Sequence, residues 1–169
     1  MSARRDNNDN LRKKNKHVEQ SLPPLKSSSR DEDYIIDLCD KVLSIRASRQ
    51  HRFDFLLGDP GSNGKRTRLP VDAYYESLSL VIEYRERQHT ESVKHFDKPD
   101  VMTVSGVHRG EQRRIYDQRR RDVLPIHGII LIEISYTYFE YDSSKKIVRN
   151  HKKDLSIVIQ ILNANGYRI

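Results

Sequence analysis

LPVDAYYESLSLVIEYRERQH, residues 69–89, contains two strand-like segments that carry one carboxylate each, Asp72 in the first and Glu83 in the second. Residues 79–85 are rich in the β-branched and aromatic types that fit a pleated sheet, and Glu76-Ser77-Leu78 reads as the turn joining two antiparallel strands. That pairing brings the two carboxylates together. A glutamate set among Val81, Ile82 and Tyr84 is costly to bury unless it is neutralised or meets a cation. Two acids on neighbouring strands therefore point to a cation, and hard carboxylate oxygens favour Mg²⁺ or Mn²⁺.

On the N-terminal side, residues 49–57 alternate, with His51, Phe53, Phe55 and Leu57 against Arg52, Asp54 and Leu56, and predict a strand. Gly58-Asp59-Pro60-Gly61-Ser62-Asn63-Gly64 breaks it into a long, mobile loop, and Lys65-Arg66-Thr67-Arg68 leads into the Asp72 strand. The loop lacks the spacing and the Lys-Ser/Thr ending of a phosphate-binding loop, which argues against nucleotide binding. From Asp31 to about Ala47, Ile35, Ile36, Leu38, Cys39, Val42, Leu43 and Ile45 recur at helical spacing. Asp31, Glu32 and Asp33 fall in the first turn of that helix, where its dipole favours negative charge. Residues 1–30 are dominated by Asn, Lys, Arg, Ser and Pro and read as a flexible basic tail, leaving 31–169 as one domain.

On the C-terminal side, His89 and His95 lie six apart among Glu86, Glu91 and Asp97, a spacing that makes a poor zinc site. Residues 101–107 read as a loop or short turn. A helix from His108 to Ile126 carries Arg109, Arg113, Arg114, Arg119, Arg120 and Arg121, denser in charge than solubility needs. Some of these are expected to contact phosphates, while Asp117 can pair with Arg120 and Arg121 one turn on. An apolar strand, Ile129 to Ile134, follows. Tyr136, Tyr138, Phe139 and Tyr141 read as a further strand or edge whose rings pack, and 154–164 as an amphipathic helix closed at Asn165-Gly166.

The net charge of +7 over 169 residues, a third of them charged, points to an acidic partner, of which nucleic acid is the commonest. A single cysteine, Cys39, excludes an intramolecular disulfide and a cysteine-rich zinc site. No run of apolar residues is long enough to cross a membrane, so a cytoplasmic protein is expected. Whether it is a homodimer stays open.

Pro70-Val71-Asp72, Leu80-Val81-Ile82-Glu83 and Gln88-His89 together resemble the PD-(D/E)XK nuclease superfamily, in the branch of very-short-patch repair endonucleases, and Tyr116, Asp117 and Arg120 fit that branch's next helix. The resemblance covers roughly residues 31–140. It implies a restriction-endonuclease-like α/β fold with a mixed central sheet flanked by helices, and metal-dependent hydrolysis of DNA phosphodiesters. In that scheme Asp72 and Glu83 hold Mg²⁺ or Mn²⁺, and His89 or Gln88 orients the attacking water or accepts its proton. Arg85 or Arg120 offsets charge on the scissile phosphate, and Glu32 matches the acid that related nucleases contribute from their first helix. Lys65, Arg66, Arg68, Arg109, Arg113 and Arg120 are the expected DNA contacts. Where the superfamily commonly has lysine two residues after the glutamate, this chain has Arg85, which keeps the charge but cannot act as a base. A DNA-binding module of the same fold without the chemistry is therefore the alternative, and a basic domain with salt-bridged acids is a third.

Overall fold

The computed structural model describes residues 30–86 and 102–169. Helix α1 (Asp31–Leu43) buries Ile35, Ile36, Leu38 and Cys39 along one face. It stops short of the expected Ala47 because Ser44 turns left-handed (φ 55°) and caps the last turn onto the carbonyls of Asp40 and Lys41. Strands β1 (Ser48–Pro60) and β2 (Arg66–Tyr75) form an antiparallel hairpin. A 3₁₀ turn, Glu76–Leu78, joins β2 to β3 (Leu80–Arg85), again antiparallel. Helix α2 (Arg109–Ile126) then leads to β4 (Ile130–Ser135), which lies parallel to β3. Helix α3 (His151–Ala164) completes the described fold, with Asn150 capping it through a hydrogen bond from the Lys153 N–H. The sheet order is β1-β2-β3-β4, so the expected mixed sheet is present and the chain is α/β.

Alternation along β3 builds the two layers. Leu80, Ile82 and Tyr84 pack with Ile35, Ile36, Val158 and Leu162 under α1 and α3. Val81 packs on the opposite face with Val71, Phe53, Leu56 and with Leu124 of α2. The same alternation turns Glu83 and Arg85 toward α2.

Three further expectations change. The break at Gly58–Gly64 is not a long loop: β1 continues to Pro60 and the reversal is a tight turn, with the Gly64 N–H on the Gly61 carbonyl and Gly64 at φ 73°. Gly58 serves close packing, since a Cβ there would lie 3.2 Å from both Leu69 Cδ2 and the Tyr116 hydroxyl. In β1 it is Leu56, not Leu57, that is buried, because the pairing with β2 shifts register between Arg52 and Leu57. Finally, Tyr136 to Tyr141 is not a strand. Tyr136–Tyr138 is a 3₁₀ turn, so Tyr136 and Phe139 reach the core at a spacing of three while Tyr138 is exposed, and Tyr141 forms only an isolated bridge to Ile147.

The tail expected over residues 1–30, apart from Arg30, lies outside the described residues, as do Gln88, His89 and His95. Before α2, the Thr103 N–H bonds the Val107 carbonyl at 2.9 Å, the short turn expected there. Among the described residues no helix is long and apolar enough to cross a membrane.

Candidate active site

The β2–β3 ladder pairs Tyr75 with Leu80, Tyr74 with Val81 and Ala73 with Ile82, and the next step would set Asp72 against Glu83. There the side chains take over from the backbone. The Asp72 N–H donates to Glu83 Oε1 at 3.1 Å, and the Tyr84 N–H donates to Asp72 Oδ2 at 2.9 Å. Each acid thus holds the other strand open by capping its backbone. The face of β2 changes at the same point: Leu69 and Val71 pack toward α2, but Ala73 and Tyr75 pack toward α1 and α3. Strict alternation would put all four on one side, so Asp72 sits at an irregularity of the strand.

Opposite Asp72 on β1 stands Gln50, between the pairs Arg49–Ala73 and His51–Val71. Its Nε2 donates to Glu32 Oε1 at 2.9 Å and lies 3.4 Å from Asp72 Oδ1. Helix α1, β1, β2 and β3 each therefore contribute one polar side chain to a continuous line, Glu32, Gln50, Asp72 and Glu83. Negative charge is in excess along it. Burial, and then the neighbouring Asp72, push the Glu83 carboxyl up to about 8, and the same two causes raise Glu32.

Behind Glu83 lies a compensating network. Glu83 stands beside Glu133 of β4, like charges that would repel if left alone. Arg121 grips Glu133 with Nε at 3.0 Å and Nη2 at 2.9 Å. Arg85 reaches Asp117 at 2.7 Å and Glu133 at 3.1 Å. Arg120 pairs with the other oxygen of Asp117 at 3.1 Å, places Nε 3.5 Å from Glu83 Oε1, and donates Nη2 to the Pro70 carbonyl at 2.8 Å. Arg119 turns to Asp59 at 2.6 Å and to the Leu57 carbonyl at 2.8 Å. Three of the six arginines of α2 thus point inward onto the sheet. Arg120, expected at a phosphate, is held among protein groups with its side chain 14 % exposed. A cleft of about 730 Å³ opens beside this network, lined in part by Arg85, Arg114 and Arg121.

The remaining expected DNA contacts lie elsewhere. Lys65, Arg66 and Arg68 sit toward the far end of the β1–β2 hairpin, from about 13 Å (Arg68) to about 23 Å (Lys65) along β2 from Asp72 at strand rise. Arg68 pairs there with Asp54 at 3.0 Å, both side chains largely exposed. Arg109 and Arg113 are in the first turns of α2.

Gln50 and Glu133 join the site without being among the residues the sequence points to. Glu133 had a signal, a carboxylate inside an apolar strand, the same one that marks Glu83. Gln50 had none, because its position depends on a left-handed backbone in mid-strand.

Among the described residues no three His, Cys, Asp or Glu side chains form a ready cage for a metal ion. The donors that Asp72 and Glu83 offer are hard carboxylate oxygens, which suit a small divalent cation. The acidic pair also yields a test on the metal-free protein. With the Glu83 carboxyl raised to about 8, the unfolded chain binds fewer protons than the folded one between the ordinary carboxylate range and that value, so Glu83 costs stability as pH rises through this window. Glu83→Gln removes the charge and keeps an acceptor for the Asp72 N–H. In chelator, thermal melts should show the variant gaining on wild type between pH 5 and pH 8.5, to roughly 1–3 kcal/mol. A difference that stays flat with pH would contradict the assigned strain.

No protein-family model, curated protein or solved structure matches the chain.

Proposed function

We infer that the domain is a metal-dependent DNA endonuclease of the PD-(D/E)XK kind. The observation that carries this reading is the junction where the β2–β3 ladder gives way to Asp72 and Glu83, two carboxylates capping each other's strand. Asp72 and Glu83 would hold Mg²⁺ or Mn²⁺, with Glu32 beside them. A cation so held supplies an acidified water and charge to offset the phosphate. Glu83, held by the Asp72 N–H and faced by Arg120, is oriented before any substrate arrives. His89 or Gln88 is assigned the proton of the attacking water on the resemblance alone. The test is incubation with plasmid and oligonucleotide DNA in Mg²⁺, Mn²⁺ or chelator: cation-dependent cleavage is expected, and its absence with every DNA substrate would remove the assignment.

Arg85 favours the second reading, a DNA-binding module. Its guanidinium is committed to Asp117 and Glu133, where the resemblance calls for a lysine. Either way DNA is the proposed partner, bound mainly through phosphates. Affinity should fall steeply with salt, and replacing Lys65, Arg66 and Arg68 together by Gln should flatten the slope of log K against log salt by about 2–3. Fluorescence anisotropy with duplex DNA from 50 to 300 mM salt reads this slope. An unchanged slope in the triple variant would remove the hairpin tip from the interface.

A further inference from the structure

Gln50 has φ 50° in the interior of β1, a left-handed conformation that side chains with a Cβ rarely adopt and that Gly or Asn would take more easily. The residues on either side explain how it is imposed. Arg49 is anchored to α1 through Asp37 and Asp40, both at 2.8 Å, and Asp40 is fixed in turn by the Tyr75 hydroxyl at 2.7 Å and the Ala47 N–H at 3.1 Å. His51 resumes the pairing with Val71. Between these fixed points the left-handed residue aims its side chain along the sheet surface to the first turn of α1. Its carboxamide then spans two acids of different elements, Glu32 and Asp72. A glycine would relax the backbone but could not span them, and an asparagine is one methylene shorter.

We propose that Gln50 is a positioning residue of the acidic site: its carboxamide, carried across by the left-handed backbone, holds Glu32 of α1 beside Asp72 and so brings the helix acid within the set that takes the divalent cation. The proposal rests on the cation-site reading of Asp72 and Glu83. It goes beyond that reading in assigning a role to a neutral residue on β1 and in making Glu32 act through it. An amide suits this task because it donates to a carboxylate without adding charge that would compete with the cation.

The experiment is titration of the metal-free protein with Mn²⁺ alone, followed by water-proton relaxation, in wild type, Gln50→Gly, Gln50→Asn, Glu32→Gln, Asp72→Asn and the Gln50→Gly/Glu32→Gln double variant. Melting curves are recorded alongside. Gln50→Gly should melt no lower than wild type, since glycine accepts the left-handed backbone. It should nevertheless bind Mn²⁺ roughly 10-fold more weakly, the lower end of what losing an orienting partner costs a metal site. Gln50→Asn should show a similar loss with the carboxamide retained but too short. The double variant should bind no more weakly than Glu32→Gln alone, because both changes remove one device. Wild-type Mn²⁺ affinity in Gln50→Gly, or losses that add in the double variant, would overturn the proposal while leaving the cation site standing. Asp72→Asn binding Mn²⁺ as tightly as wild type would overturn the cation site itself, and the role of Gln50 with it.

Discussion

Asp72→Asn and Glu83→Gln should each lower Mg²⁺- or Mn²⁺-dependent cleavage of DNA by roughly 10³-fold or more, while duplex affinity stays equal or rises. The size follows from losing a cation that contributes several kcal/mol of transition-state stabilisation. In the nuclease reading the sign of the affinity change follows from charge, since Asp72→Asn removes a negative charge close to the bound phosphates and Glu83→Gln removes the charge that Glu83 carries only above about pH 8. The amide variants are the sharper choice. The Tyr84 N–H donates to Asp72 Oδ2 and the Asp72 N–H to Glu83 Oε1, so alanine would strip an acceptor from a strand N–H and mix a folding defect into the rate. Single-turnover cleavage and filter binding in chelator separate the two effects. Cleavage retained within about tenfold by either amide variant would exclude the acids as ligands. A wild type that binds DNA and never cuts would hand the assignment to the binding-module reading.

The acidic hairpin was legible because both its signals are local. Runs of Val, Ile and Tyr predict strands, and a carboxylate inside such a run has no cheap burial, so Asp72 and Glu83 stand out before any packing is known. The order of elements was legible for the same reason. The direction of the arginines was not. The Arg120–Asp117 pair is the one the spacing predicts, but the spacing does not show that Arg119 reaches Asp59, that Arg120 also reaches the Pro70 carbonyl, or that Arg121 turns to Glu133. Which face of α2 lies on the sheet is decided by Leu124 packing onto Val71 and Val81, contacts distant in sequence. The left-handed Gln50 and the change of face at Asp72 were likewise hidden. A one-residue irregularity leaves composition and periodicity nearly unchanged while reversing where side chains point. At the basic hairpin tip the Gly-rich run shows that the chain reverses but not how tightly, since β1 continues to Pro60.

Asp117→Ala should be the most destabilising single substitution among the residues around the site, by roughly 3–5 kcal/mol. Asp117 is 3 % exposed and divides its two oxygens between Arg85 at 2.7 Å and Arg120 at 3.1 Å. Both guanidinium side chains are only 14 % exposed. Removing the carboxylate leaves two arginines under α2 with less compensation than their desolvation requires, and Glu133 must serve Arg85 and Arg121 alone. Urea melts at pH 7 read the loss directly. A double variant separates the burial of charge from the loss of packing: Asp117→Leu with Arg85→Met replaces one buried pair by apolar groups and should recover a substantial part of what Asp117→Leu loses alone. The site should also feel the change, since Arg120 freed from Asp117 retains the Pro70 carbonyl and the Glu83 carboxylate 3.5 Å away. Arg120 then draws closer to Glu83 and competes with a cation for it. Mn²⁺ binding should therefore weaken in Asp117→Ala and return in Asp117→Ala/Arg120→Met. A loss below about 1 kcal/mol in Asp117→Ala would mean that water already reaches the network and that its arginines are held as surface pairs are.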